Sequence, residues 1–452
     1  MVSKLLNVNN KKITVIGAAR SGVSAALLLK KYGANVFVSD LSSTEKIQEY
    51  LNILRTNYIQ YETGLHSEKV FDCSLMVISP GVPSNSSVVL DAISRGIKVI
   101  SEVELAYHFC PAKIIAITGS NGKTTTTSLI GKIFESAGKE HVVAGNIGVA
   151  FSSVVESLTE NSTAIIEVSS FQLDHIEQFK PDVSVLLNIT PDHLDRYDNS
   201  MEKYSASKAK IFKNQTEKEY LIYNYDDPVI SNLVCDSKAT LLPFSTKIEL
   251  EKGAYIDWVN KKVILSNNEE KSVVIGIDQI GIRGIHNFYN SLAAILAARV
   301  MNISLNSIAL ALKDFKGVEH RLEFVRELNG VRYINDSKAT NVDSVYYALT
   351  AFENPVILIL GGRDKGNDYT KLKPVVKSKV KKIIAIGESA NKIKNEFRNV
   401  EIANSMQEAV NLAAGFAVTG DIVLLSPACA SFDWFNNYEH RGNVFKELVM
   451  KL

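Results

Sequence analysis

Residues 113–125 read KIIAITGSNGKTT, an apolar, β-branched run that breaks into a Gly-rich turn and reopens on threonines. The run has the length of a buried strand, and the threonines begin a helical pattern. A loop of backbone N–H groups leading into a helix N-terminus is a ready anion site, so TGSNGKTT from Thr118 reads as a phosphate-holding loop. Lys123 would meet the β/γ-phosphates of a nucleotide and Thr124 would ligate Mg²⁺. The full pattern has a glycine where this chain has Ile117, so the match is imperfect taken alone.

Upstream of this loop, from Lys12 to about Ile100, the short runs ITVIG, NVFVSD, LMVISPG and IKVIS alternate with helical patterns such as residues 24–31. That alternation is βαβ sequence and predicts a doubly wound, Rossmann-like parallel sheet. Downstream, apolar strands are expected near residues 163–168 and 183–189, a hairpin-like stretch around 255–275, and a helix over 287–301. A third alternation starts near Gly317, with strands VRYIN, PVILILGG, KKIIAIG and DIVLLSP. The expected division is therefore three α/β domains, 1–101, 102–317 and 318–452: a central P-loop ATPase-type domain between two Rossmann-like ones. A chain of 452 residues fits that number.

Hydrophobic residues make up 46% and charged residues 22%, an ordinary globular balance. Lys plus Arg (50) nearly cancels Asp plus Glu (49), so no global field would gather nucleic acid or an anionic membrane, and phosphate chemistry has to be local. No apolar run reaches the roughly 18 residues a membrane span needs, and no apolar signal core precedes the first strand. Cys73, Cys110, Cys235 and Cys429 form no CxxC pair, which fits a reducing compartment. A soluble, cytoplasmic chain without membrane insertion is expected.

The turn after the first strand, GAARSG from Gly17, resembles a dinucleotide fingerprint, with Asp40 at the end of the next strand where an acid would read a ribose. Ala19 replaces the glycine that lets a backbone approach a pyrophosphate closely. A helix N-terminus holding another nucleotide's diphosphate therefore fits at least as well. Glu167 in IIEVSSFQL and His193 in NITPDHLDRY lie at the carboxyl ends of expected strands, the edge where open α/β sheets bind ligands, and beside a P-loop they become candidate metal ligands. Lys208, in EKYSASKAKIF, reads on its own as a solvated helix residue.

Taken in order, these motifs resemble the Mur ligases of peptidoglycan synthesis. The resemblance rests on SPG at Ser79, TGSNGKTT at Thr118, GNIG at Gly145, EVSSFQL at Glu167, NITPDHLDRY at Asn188 and SASK ending at Lys208. It continues through GIHNFYN at Gly284, EHR at Glu319, INDSKATN at Ile334 and GGRDKG at Gly361. The last segment, SPACASFDWFNNYEHRGNVF from Ser426, is similar to the members that add D-glutamate rather than L-alanine, a diamino acid or a dipeptide.

The resemblance implies an ATP-dependent amide ligase joining D-glutamate to UDP-N-acetylmuramoyl-L-alanine through an acyl phosphate, acting as a monomer with Mg²⁺, two ions being expected. Residues 1–101 would bind the UDP substrate through Gly17, Asp40, Ser79 and Gly81, with Asn146 and His193 at its muramoyl-peptide end. Gly119, Asn121, Gly122, Lys123, Thr124 and Thr125 would hold ATP phosphates, and Asn287 and Asn290 would lie near adenine and ribose. Arg321, Asp336 and Lys338 would complete that site. Thr124 and Glu167 would hold the first metal, with His193 and a carbamylated Lys208 at the second, while Lys123, His193 and Lys208 would carry the chemistry. Thr340, Lys365, Ser431, Phe432 and Tyr438 would hold D-glutamate. Leu41 and Ser42 stand where some members have Thr and Arg, a departure at the uracil end. An NAD-dependent oxidoreductase built on residues 12–40, a non-catalytic nucleotide-binding regulator and a related ligase such as a folylpolyglutamate synthase remain as alternatives.

Overall fold

A computed structural model of the chain describes residues 6–146, 148–268, 270–364 and 366–452. Five parallel strands, Lys12–Ile16 (β1), Asn35–Asp40 (β2), Gln60–Thr63 (β3), Leu75–Ile78 (β4) and Lys98–Ser101 (β5), make a first sheet in the order β3-β2-β1-β4-β5. The order reverses beside β1, so β1 and β4 flank a switch point, where a doubly wound sheet leaves a crevice for a ligand.

The second sheet has nine strands. Lys113–Thr118 (β6), His141–Gly145 (β7), Thr163–Glu167 (β8), Val183–Leu186 (β9), Tyr220–Asn224 (β10) and Thr240–Ser245 (β11) run parallel to their neighbours. Lys252–Asp257 (β12) joins them in parallel and then turns into an antiparallel meander with Lys262–Asn267 (β13) and Glu270–Gly276 (β14). The order β14-β13-β12-β11-β10-β9-β6-β8-β7 puts β6 in the interior, which explains why KIIAIT is apolar on both faces.

The helix Glu102–Phe109 joins the two sheets and is buried along its whole length. Around it one apolar core runs unbroken from Val15 and Leu29 through Phe109 and Ala112 to Ile166, Phe179 and Leu221. Residues up to Ile280, with Tyr289–Asp314, thus pack as one compact unit.

The second unit comprises Gly281–Phe288 and Phe315–Leu452. Its six-stranded sheet runs Glu323–Leu328 (β15), Val331–Asn335 (β16), Ile422–Leu425 (β20), Val356–Gly361 (β17), Val380–Ile386 (β18) and Val400–Ile402 (β19) across its width, and β15 alone is antiparallel. Separate apolar clusters cover its two faces, one around Leu358 and Leu424 and one around Ile359 and Val423. The chain is thus α/β throughout, with three sheets. Among the described residues no helix is long and apolar enough to cross a membrane.

Candidate functional site

β6 ends at Thr118, and the helix Lys123–Ser136 begins after a four-residue turn. Gly122 caps that helix at φ +85°, and a Cβ there would come within 2.3 Å of Asn290 Oδ1, so the sharp turn requires glycine. Asn121 N–H donates to the Asn188 side-chain oxygen (2.8 Å), while Asn188 Nδ2 returns a bond to Asn121 O (2.9 Å). Ser120 Oγ donates to Thr190 O at 2.8 Å. Lys123 folds back over the loop and donates to the carbonyls of Gly119 and Ser120, both at 2.8 Å. Thr125 is buried, and Asn290 Oδ1 accepts from Thr126 Oγ1.

Beside this loop, Thr124 Oγ1 donates to Glu167 Oε2 (2.8 Å) and Asn146 Nδ2 donates to Glu167 Oε1 (3.1 Å). Parallel pairing of β6, β8 and β7 brings the three side chains to one sheet edge. Lys208 lies in the helix Met201–Ala209 but points inward: it is 2% exposed, donates to Gly119 O at 2.9 Å and sits 4.7 Å from the Tyr204 ring. Burial, and then the neighbouring Lys123, push its amine well below the usual lysine range. His193 takes a left-handed backbone (φ +52°), stacks edge-on against Phe171 and stands 3.7 Å from Asp192 Oδ1.

Among the described residues no group of three or more His, Cys, Asp and Glu could hold a metal. Magnesium does not need one, because it keeps several waters and uses one or two protein oxygens plus phosphate oxygens. The adjacent Thr124 hydroxyl and Glu167 carboxylate are hard oxygen donors of that kind, so the residues present fit it.

A cavity of about 520 Å³ opens at the switch point of the first sheet and is lined by Gly17, Asp40, Ser79, Gly81 and Asn146 together. A Cβ on Gly22 would lie 1.7 Å from Gly17 O, so the helix Arg20–Lys31 can start close under the strand end only with glycine there. Asp40 behaves differently from a simple ribose reader. Its Oδ2 accepts from Ala18 N (2.6 Å) and its Oδ1 from Ser42 N (2.7 Å), so the carboxylate ties together the loops after β1 and β2. The cavity also recruits Arg20, Tyr50, His66 and Ser86, which the motif reading did not single out. Arg20 stood in the quoted GAARSG, whereas nothing local to the other three marks them.

The second unit gathers another set. Asp336 is fully buried at the end of β16, where it accepts from Ser426 Oγ (2.8 Å) and Leu322 N (3.2 Å) and faces Arg321 at 3.9 Å. Burial raises its carboxyl to about 6 against the pull of Arg321. Lys338 Nζ donates to Tyr438 OH at 2.9 Å, and Thr340 N–H donates to Lys338 O. Ser431 is buried and Phe432 is 61% exposed. Lys365 lies outside the described residues. Asn287 belongs to this unit, where its Nδ2 donates to Arg283 O, whereas Asn290 packs with the first unit. Sequence reasoning missed Arg441, fully buried and bonded to Ser337 and to the carbonyls of Cys429 and Ala430, which joins the SPACAS and NDSK loops. An arginine inside YEHRGNVF gives no local sign that it is buried.

Comparison with known proteins bears on the same segments. Residues 12–88 match the MurD N-terminal domain, 117–298 the Mur ligase middle domain and 320–429 the Mur ligase glutamate ligase domain. The chain is 48% identical to UDP-N-acetylmuramoylalanine–D-glutamate ligase of Chloroherpeton thalassium, over 98% of this chain and 99% of that one. It is 45% identical to the same-named protein of Salinibacter ruber, over 98% and 99%. Its fold is that of UDP-N-acetylmuramate–alanine ligase from Thermotoga maritima, with TM-score 0.61, 18% identity, and coverage of 98% of this chain and 100% of that one. With full-length identity at this level and three family domains in order, the chain belongs to the Mur ligase family, among its UDP-N-acetylmuramoylalanine–D-glutamate ligases.

Proposed function

We propose that this chain joins D-glutamate to UDP-N-acetylmuramoyl-L-alanine at the expense of ATP, with the residues gathered around Gly119 as its phosphoryl-transfer centre. The observation that carries this reading is the convergence of Lys123, Lys208, Thr124 and Glu167, from three separate segments, on one strand edge. Residues 1–101 bind the UDP substrate in the 520 Å³ cavity, 102–317 bind ATP, and 318–452 bind D-glutamate.

The substrate carboxylate attacks the γ-phosphorus of ATP, ADP leaves, and the glutamate amine then displaces phosphate from the resulting acyl phosphate to give the amide. Lys123, now held by two loop carbonyls, exchanges them for phosphate oxygens and offsets the charge developing there. Asn146 orients the muramoyl-peptide end while fixing the second oxygen of Glu167. Thr124 and Glu167 would hold a first Mg²⁺ and His193 with Lys208 a second, and the bound ions would supply positive charge to offset that of the transferring phosphoryl group. Lys208 serves as its carbamate: an amine pushed toward neutrality by burial can add CO₂ and lose a proton, and the product carries anionic oxygen where an ammonium would repel a cation. In the second unit, Arg321 and Lys338 are the cationic residues that the family resemblance assigns to ATP. Thr340, Lys365, Ser431, Phe432 and Tyr438 fix the glutamate. Dependence on ATP and a UDP-linked substrate supports a reaction in the cytoplasm.

The test is ADP release from UDP-N-acetylmuramoyl-L-alanine with D-glutamate, L-glutamate, L-alanine or a diamino acid. Turnover is expected with D-glutamate and nearly none with its enantiomer, because a site fixing both carboxylates aims the amine correctly for one configuration only. Comparable rates with L-glutamate would favour a folylpolyglutamate-type ligase.

A further inference from the structure

A residue outside every motif quoted above faces the nucleotide cavity with a defined hydrogen-bonding polarity. His66 follows β3, is half-buried and lines the cavity with Asp40, Leu41 and Ser42. Its Nδ1 lies 2.7 Å from Ser39 Oγ. That hydroxyl has a single proton and two further neighbours that can only accept, Glu62 Oε1 at 2.8 Å and Leu65 O at 3.3 Å. Glu62 is also fixed by the hydroxyl and amide of Ser67 at 2.6 and 2.9 Å. Ser39 therefore gives its proton to these acceptors, and its oxygen must receive one from His66. The relay selects the Nδ1–H tautomer and leaves Nε2 as a lone pair, with no protein partner among the described residues.

The charge states agree with this geometry. Burial acts to raise the Glu62 carboxyl, but the Ser67 and Ser39 bonds outweigh it and hold the group ionised. Burial lowers the His66 ring against the opposing pull of Glu62 and Asp40, so it is neutral at pH 7.

Position selects the group that this lone pair meets. The diphosphate belongs at the N-terminus of the helix Arg20–Lys31, which follows β1, and His66 follows β3. Two strand spacings, about 10 Å, separate the two strand ends. That is the reach of a nucleoside from its phosphate to its base. Asp40, at the intermediate strand, already accepts two backbone amides. We infer that His66 is a specificity-determining residue of the nucleotide site, accepting the imide N–H of the uracil base on Nε2 through a tautomer fixed by the Ser39–Glu62 relay. The inference rests on the first sheet's cavity being the UDP site, and it supplies a base contact where Leu41 and Ser42 depart from the Thr-Arg pair.

The test compares KM values for UDP-N-acetylmuramoyl-L-alanine and for its N3-methyluridine and 2′-deoxyuridine analogues. The parent should lose about tenfold in KM with the N3-methyl analogue, the effect of one unmade hydrogen bond to a desolvated acceptor. His66→Phe should raise the KM of the normal substrate about tenfold at unchanged kcat, leave the KM of ATP unchanged, and show no further penalty for the methyl group. His66→Gln, whose Oε1 replaces the acceptor, should restore part of the loss, and a folded His66→Gln keeps the test open if the phenylalanine variant misfolds. A parent that accepts the N3-methyl analogue equally well, or a variant that still discriminates against it, would overturn the inference. So would a His66 effect that vanishes only with the 2′-deoxy analogue, which would place a ribose hydroxyl there instead. Ala19→Tyr, which fills the cavity, is the control. If it leaves the UDP-substrate KM unchanged, the cavity assignment itself fails, and the inference falls with it.

Discussion

Lys208 separates what local sequence can say from what packing decides. A lysine in EKYSASKAKIF has every local mark of a solvated charge, and the family resemblance alone argued otherwise. The structure buries it because its helix packs Tyr204 under the loop 119–122, with the tyrosine hydroxyl 3.1 Å from Ser120 Oγ. If Lys208 is a carbamate ligand, Lys208→Ala should stay folded, lose most activity, and recover part of it with formate or acetate, which can supply the missing anionic oxygen. A salt-bridging lysine would give no anion rescue, and near-parent activity at saturating Mg²⁺ would rule out the ligand role.

Asp336 makes a different residue-scale case, because its position at a strand end was legible but its burial was not. Its folded value of about 6 lies above the usual 3.8, so the native state holds the proton more tightly than the unfolded chain. Stability is therefore lost as pH rises from about 4 to about 6, by about 3 kcal/mol if the full shift applies. A carboxylate whose burial costs the fold stability is a candidate ligand-site residue. Asp336→Asn removes the titration, so urea unfolding should show the variant gaining on the parent across that pH range. Parallel pH profiles for the two proteins would show that Asp336 is not the titrating group.

At the scale of elements, strands with a continuous apolar run could be read, the edge strand β5 (IKVIS) among them, whereas the polar edge strands β3 and β19 could not, and the interior strands β10 and β11 were also missed. ITVI, KIIAIT and VILILG are apolar on both faces because helices cover both sides, and their continuous runs stand out. The strands β3 (QYET) and β19 (VEI) are short, polar and partly exposed at the edges of their sheets, so neither periodicity nor composition marks them. Unmarked β3 also hid His66, since a residue gains meaning only once the strand before it is placed. The two turns proposed to bind phosphate were legible because each carries glycines and opens a helix, Arg20–Lys31 in one case and Lys123–Ser136 in the other. Since these are separate helices on separate sheets, Lys123→Ala should abolish ATP turnover and leave UDP-substrate affinity close to the parent value. Isothermal titration with the UDP substrate checks this, and affinity lost in parallel with turnover would contradict two independent sites.

On the scale of the whole molecule, the join between the first two sheets depends on a carboxylate that no motif announces. Glu104 is buried in the helix Glu102–Phe109 and accepts the backbone N–H groups of Glu177, Gln178 and Phe179 at 3.0, 2.8 and 2.9 Å, with His108 Nε2 at 3.3 Å. Burial acts to raise its carboxyl, but the His108 and amide bonds outweigh it and hold the group below the usual range. It therefore stabilises the fold at neutral pH and ceases to do so as pH falls through the carboxylate range. The segment it holds continues the same join: His175 O accepts from Ser101 N (2.9 Å), and Glu177 pairs with Lys98 (2.5 Å). Glu104→Ala would leave three amides without their acceptor, a loss of about 3 kcal/mol or more. Because one apolar core spans both sheets, that loss should not detach the first sheet but lower the melting of the whole first unit. Calorimetry of the parent is expected to resolve two transitions, and UDP-N-acetylmuramoyl-L-alanine should raise the one belonging to the first unit. In Glu104→Ala that same transition should move down while the other stays. If instead the mutation produced a third, low-temperature transition that the UDP substrate shifted alone, the first sheet would be an independent folding unit and the shared core would not be what joins it to the second.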